Sequence, residues 1–139
     1  MADETTIEIE IVAPDRRLRT ATVDSVTIPG MDGDFSVLPG HTPFLSALRN
    51  GIMITRSAGS ATNYAINGGY AEVRDNKVTM LTQTVEAEDE IDVERARRAR
   101  ERAERRLRGE AEPGVDIRRA ELALHRALIR LQATGHHEP

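Results

Sequence analysis

The spacing of hydrophobic and polar positions changes period once, near residue 90. Before that point it alternates. Ile7, Ile9 and Ile11 are interleaved with Glu8 and Glu10, so residues 5–12 read as a strand with one face buried and one wet. Pro14-Asp15 ends it. Residues 17–28 resume with Leu18, Thr20, Val26 and Ile28 on one parity and Val23 on the other, which predicts a strand with a bulge or bend. Between Val26 and Leu45 the β-branched pieces are interrupted at Pro29-Gly30, Asp32-Gly33 and Pro39-Gly40. Proline fixes φ and glycine admits φ > 0, so this stretch predicts three reversals: a tight β corner carrying a rigid loop. Short strands follow at 44–48, 52–56, 63–66, 70–73 and 78–84, with turn residues between them. The 52–56 piece is apolar on both faces and reads as central. The number and spacing of these strands predict an antiparallel β-sandwich, or flattened barrel.

An acidic link, 86–90, precedes the helical part. Asp92 suits an N-cap, and Ala96, Ala99, Ala103 and Leu107 then recur at three- and four-residue spacing. Glu94/Arg98, Glu101/Arg105 and Glu104/Arg108 are i,i+4 pairs that support the exposed face. Gly109 and Pro113-Gly114 stop this helix. Asp116 caps a second, with Ile117, Ala120, Leu124, Ala127, Leu128 and Leu131 as its apolar face, and Thr134-Gly135 ends it. The expectation is a β-sandwich over 1–89 and an antiparallel two-helix hairpin over 90–139, folding back near 111–112. The alanine-rich first helix buries little area, so the hairpin should dock weakly and be able to detach.

Charge sharpens that boundary. Residues 1–90 carry 7 Lys/Arg against 14 Asp/Glu, and residues 91–139 carry 12 against 9, within a net charge of −4. The sign change marks two parts with different partners. With no cysteine, a disulfide scaffold and a thiolate metal site are excluded. No run approaches the ~20 apolar residues of a membrane-spanning helix, and no signal peptide is expected. With no tryptophan and only four other aromatic residues, stacking on nucleic-acid bases is poorly supplied.

No catalytic set emerges: there is no phosphate-binding Gly-x-x-x-x-Gly-Lys-Ser/Thr loop and no Gly-x-Ser-x-Gly. His41 reads as a hydrogen-bonding loop residue, and His125 and the His136-His137 pair offer no metal site. The group that stands out is cationic. Arg95 and Arg102 share a face of the first helix, and Arg126 and Arg130 share one of the second. Folded back, the hairpin sets Arg95 level with a point between Arg126 and Arg130. Such guanidinium groups either splay into water or converge on an anion, a phosphate-bearing ligand or an acidic partner surface.

Ile28-Pro29-Gly30, Asp32-Gly33 and Val37-Leu38-Pro39-Gly40-His41-Thr42-Pro43 resemble the N-terminal domain of the epsilon subunit of the F-type ATP synthase. With the acidic link and Ile91-Asp92-Val93-Glu94-Arg95-Ala96, the resemblance covers essentially the whole chain. It implies a non-catalytic central-stalk subunit that needs no cofactor. The sandwich would bind the gamma subunit and meet the membrane ring of c subunits through Met31, Asp32, Gly33, Asp34 and His41. The hairpin would regulate ATP hydrolysis. Ile91-Asp92-x-x-Arg95-Ala96 is similar to the motif by which some bacterial members bind ATP as a regulatory ligand. That likeness implies Glu86, Ile91, Asp92 and Ala96 near the nucleotide, and Arg95, Arg102, Arg126 and Arg130 on its phosphates. Arg118, Arg119, Arg126 and Arg130 would meet acidic segments of the alpha and beta subunits of the catalytic head. The implied location is peripheral, on the cytoplasmic face of a bacterial inner membrane. The other reading is a free-standing nucleotide-sensing module; a nucleic-acid partner is not expected.

Overall fold

The computed structural model describes residues 5–14, 18–110 and 113–135. The expected break at Asp15, the start of a strand at Arg17, the fold-back at 111–112 and the His136-His137 tail lie outside these residues. The chain divides into two compact units, 1–87 and 88–139. It has an N-terminal β-sandwich followed by two helices that pack together.

Ten strands, among the described residues, build the first unit: β1 (Ile7–Val12), β2 (Leu18–Val23), β3 (Ser25–Gly30), β4 (Gly33–Val37), β5 (Phe44–Leu48), β6 (Gly51–Ser57), β7 (Ser60–Asn67), β8 (Gly69–Arg74), β9 (Lys77–Leu81) and β10 (Thr84–Ala87). They form one folded sheet in the order β10-β7-β6-β3-β5-β8-β9-β1-β2, with β4 attached to β3. Neighbours are antiparallel except β1 and β9, which run parallel. Among the described residues, β3 and β5 share a single register pair, Gly30 with Leu48, and the sheet folds over itself there. Inside lie Ile7, Ile9 and Ile11 of β1, with Val26, Ile28, Val37, Met53, Ile66, Val73, Val78 and Met80. Alternation in β1 therefore has its expected cause: one face is core and the other is solvent.

Five local expectations are corrected. The 17–28 stretch is not one bent strand: Asp24 separates β2, which pairs with β1, from β3, which pairs with β4, β5 and β6. The break anchors a corner, since Asp24 accepts from the Ala58 N–H. Pro29-Gly30 does not turn the chain. Both residues sit inside β3, opposite Asp34 and Gly33, and the Pro29 carbonyl accepts from Arg49 N–H. A Cβ on Gly30 would come within 2.7 Å of the Gly33 carbonyl, so glycine is required here by close backbone approach. Strand 78–84 ends at Leu81. A separate strand, β10, pairs with β7 and takes up Glu86, so the acidic link shrinks to a 3₁₀ turn at Glu88–Glu90.

The second unit contains α1 (Val93–Leu107) and α2 (Ile117–Ala133). Asp92 and Asp116 cap them by accepting from the N–H of Arg95 and Arg119, at 3.1 and 3.2 Å. Each cap contributes about 1 kcal/mol. The interface between the helices is mostly alanine: Ala96 and Ala103 on α1, Ala120 and Ala127 on α2, with Leu131. Here lies the fourth correction, in the face of α2. Ile117 and Leu128 are exposed, whereas Ile129 and Ala133 are buried off the α1-facing stripe. Of the expected ion pairs only Glu104–Arg108 is present, at 3.7 Å. Glu94 pairs with Arg97 instead, and Glu104 also with Arg100, both at 2.7 Å.

Candidate functional site

Two surfaces in the first unit and one in the second bring together residues whose arrangement packing alone does not require. The first is a row across the outer face of β5, β8, β9, β1 and β2. Cross-strand register aligns Ala47 with Tyr70, Tyr70 with Leu81, Leu81 with Val12, and Val12 with Leu18. Tyr70, Leu81 and Leu18 remain 60%, 56% and 59% exposed. The adjoining row of the same face, Leu45, Glu72, Thr79, Glu10 and Thr20, is polar apart from Leu45, which is 70% exposed. One scattered leucine on a surface needs no explanation, but an apolar line spanning five strands is a candidate interaction surface. Sequence alternation could not reveal it, because the line exists only in the cross-strand register.

The second surface contains the expected ring-contact residues. Met31 and Asp32 form the β3–β4 turn, Gly33 and Asp34 open β4, and His41 lies in the loop after it. These are not one loop end. The turn and the loop stand at opposite ends of β4, a separation of about 17 Å for five residues. A surface including both must follow the strand, whose Asp34 and Ser36, with Leu38 just beyond it, are exposed. The strip is braced at both ends. Asp34 pairs with Arg49, and Gly40 N–H donates to Asn76 Oδ1 at 2.7 Å. His41 Nδ1 donates to the Thr42 carbonyl at 2.6 Å, and its ring lies 6.3 Å from that of Phe44.

The third surface is on the hairpin. At about 100° per residue, Arg95, Arg102 and Arg106 fall within about 40° of one another on α1, and Arg119, Arg126 and Arg130 do the same on α2. In an antiparallel pair these rows lie on the same side. Arg106 and Arg119 indeed line one cavity of about 490 Å³, with Pro113, Val115, Asp116 and Ala120. The ion pairs of α1 (Arg97–Glu94, Arg100–Glu104 and Arg108–Glu104) use other phases of the helix. Among the described residues, the side chains of Arg95, Arg102, Arg106, Arg119 and Arg126 have no ion-pair partner. They are exposed, and Arg130 is half-buried.

The structure thus sets Arg95, Arg102, Arg126 and Arg130 on one face, and adds Arg106, which sequence reasoning passed over. Ile91 and Ala96 are buried, and Asp92 is engaged as the α1 cap. Glu86 stands in β10 of the first unit. Arg118 lies away from the arginine face, about 100° from Arg119.

The family model for the β-sandwich domain of the ATP synthase delta/epsilon chain matches residues 6–88, and that for its long α-helix domain matches residues 89–135. The ATP synthase epsilon chain of Geobacter metallireducens is 43% identical over 129 residues, covering 93% of this chain and 94% of that one. The epsilon chain of Nitratidesulfovibrio vulgaris is 46% identical over 104 residues, covering 75% and 78%. Among solved structures, a chain of the Euglena gracilis mitochondrial ATP synthase OSCP/F1/c-ring assembly is similar, with a TM-score of 0.76 and 27% identity over 95% of this chain and 82% of that one. A chain of the Tetrahymena thermophila mitochondrial central stalk and c-ring, at 16% identity and a TM-score of 0.53 over 92% and 96%, bears on the fold alone. Both units of the sequence are accounted for by these matches, and the chain belongs to the ATP synthase epsilon-chain family.

Proposed function

We propose that this chain is a non-catalytic rotor subunit, fastened by its sandwich to the gamma subunit and regulating ATP hydrolysis through its hairpin. The observation that carries the reading is the exposed apolar row Leu18–Val12–Leu81–Tyr70–Ala47. A shaft subunit with an apolar strip of its own would cover it and gain the transfer energy of three large side chains. The strip along β4 is the surface offered to the c-ring. Its braces suit transmission of torque, because a loop held at both ends deforms less under load. The location that follows is peripheral, at the cytoplasmic face of a bacterial inner membrane, through the complex. Copurification of the full chain with gamma and the c-ring tests the attachment; a chain that never associates with gamma would instead favour a free-standing nucleotide sensor.

The hairpin reading rests on the arginine face, where Arg95, Arg102 and Arg126 have no ion-pair partner among the described residues, and on the small area of the alanine seam behind it. An anion held by Arg95, Arg126 and Arg130, with Ile91, Asp92 and Ala96 beside the base, relieves the repulsion between like charges and favours the closed hairpin. ATP is that anion, and it stabilises the bound form by an amount set by its concentration relative to its Kd. Without it, the same arginines are available to acidic segments of the alpha and beta subunits. Arg126→Ala should weaken ATP binding by roughly tenfold or more, the loss of one charge-assisted phosphate contact. NMR titration of the full chain measures this; equal affinities for Arg126→Ala and the unaltered protein would remove Arg126 from the site.

A further inference from the structure

The hairpin repeats itself with an offset of 24 residues. Ile91-Asp92-Val93-Glu94-Arg95-Ala96 opens α1, and Val115-Asp116-Ile117-Arg118-Arg119-Ala120 opens α2. Arg102-Ala103 corresponds to Arg126-Ala127, Arg106 to Arg130, and Leu107 to Leu131. Upstream, Glu86 corresponds to Glu110. The structure repeats with the sequence: each aspartate caps its own helix, and each arginine three residues later supplies the capped N–H.

An antiparallel pair of such helices has an approximate twofold axis through the arginine face. The axis exchanges Arg95 with Arg119, Arg102 with Arg126, and Arg106 with Arg130. Whatever Arg95, Arg126 and Arg130 do at the open end, Arg119, Arg102 and Arg106 are therefore arranged to do at the connected end, about 16 Å along α1. That end carries the cavity of about 490 Å³, lined by Val115, Asp116, Arg119 and Ala120 of the second copy together with Arg106.

Packing explains part of the repeat and not the rest. The alanines are needed for close approach of the helices, and the aspartates are needed as caps. No such requirement applies to the arginines. Arg102, Arg106 and Arg119 are exposed, lack an ion-pair partner among the described residues, and recur at the same helical phase. A solvated face would tolerate glutamate or lysine at these positions, and glutamates are present on other faces of the same helix. Asp116 caps the Arg119 N–H at the start of α2, and it is the arginine side chains, not the helix terminus, that point to a site.

We infer that the connected end of the hairpin is a second polyphosphate site, the twofold copy of the nucleotide motif at the open end. This rests on the reading of Ile91–Ala96 as that motif. Arg102 and Arg126 lie between the two ends and serve both, so the sites compete for the central charges. Occupancy of one then weakens the other.

The test is backbone NMR of the full chain titrated with ATP, following amides 91–96 and 113–120 separately. Two saturable sets of shifts are expected. Arg106→Gln with Arg119→Gln should weaken the second set by at least about tenfold and the first less than about twofold; Arg95→Gln with Arg130→Gln should do the reverse. Circular dichroism of each double variant checks that the helices remain. Inorganic tripolyphosphate separates the sources: equal shifts at 113–120 assign the site to the phosphate chain, and shifts seen only with ATP assign it to a nucleotide. Saturation at 91–96 with 113–120 unmoved would overturn the second site and leave the first standing. Shifts at 113–120 that vanish only with the Arg95/Arg130 variant would do the same, and silence at both ends would remove both.

Discussion

Gly69→Ala is expected to destabilise the sandwich by about 3–5 kcal/mol, a large part of the ~5–15 kcal/mol that holds a domain together. Two costs combine. Gly69 has φ +111°, where an L side chain is strained by roughly 1–3 kcal/mol. A Cβ there would also stand 1.8 Å from the Leu81 carbonyl oxygen and 2.9 Å from Thr82 Cα, all backbone atoms that no rotamer change can move. Relief requires β8 and β9 to part at the Tyr70–Leu81 pair, adding roughly the 1–3 kcal/mol of an overpacked site. Gly59→Ala is the control. Its φ is +81° but no atom lies within 4 Å of the added Cβ, so only the conformational cost, about 1–3 kcal/mol, remains. Urea unfolding of the full chain compares them, and similar midpoints for the two variants would contradict the steric argument.

That position also shows what could be read from the sequence and what could not. Gly68-Gly69 is plainly a turn in the sequence; the reason Gly69 in particular must be glycine is a carbonyl on β9, which only the fold brings there. The same division runs through the molecule. β1 was legible because its two faces meet different solvents, and the helix starts were legible because Asp92 and Asp116 act locally. The Asp24 break and β10 were not, since both depend on which distant strand offers a free edge. Pro29-Gly30 misled for a related reason: turn-forming residues are also those tolerated where two backbones approach closely. In α2, burial of Ile129 and Ala133 lies off the stripe that faces α1, and a single periodic face could not announce it. Of the candidate surfaces, the arginine face was half legible. Helical phase gives its residues, and the 24-residue repeat gives Arg106. That Arg95, Arg102, Arg106, Arg119 and Arg126 lack an ion-pair partner among the described residues required the side-chain geometry, because a long glutamate on a neighbouring phase of either helix could have reached them. The turn at Met31-Asp32 and the loop at His41 were both identifiable as exposed. Their separation by the length of β4 was not, since it depends on β4 being a fully extended strand.

Leu81→Arg is expected to weaken binding to the gamma subunit by about 100-fold or more, near 3 kcal/mol, while leaving the fold almost unchanged. Leu81 is 56% exposed and its side chain projects from the outer face, so a longer polar residue displaces nothing in the core. In a covered interface the outcome differs: the guanidinium must either lose its water between Tyr70 and Val12 or swing toward Glu10 and Glu72 of the adjoining row, and both leave a long charged side chain where a flat apolar strip has to be covered. Tyr70→Ala should cost less, about 1–2 kcal/mol, because truncation removes contact area without introducing a charge. Arg56→Ala, at the exposed end of β6 in the other half of the sheet, should leave binding unchanged. Binding of each purified full-length variant to gamma, with unfolding midpoints measured alongside, distinguishes the possibilities. If Leu81→Arg bound as tightly as the unaltered chain, the apolar row would not be the fastening surface, and the β4 strip would have to carry both attachments. Five residues of edge strand present too little area for that, since a stable interface buries about 800 Å² on each partner. On the reading proposed above, the row is the part of the sandwich on which attachment to gamma depends.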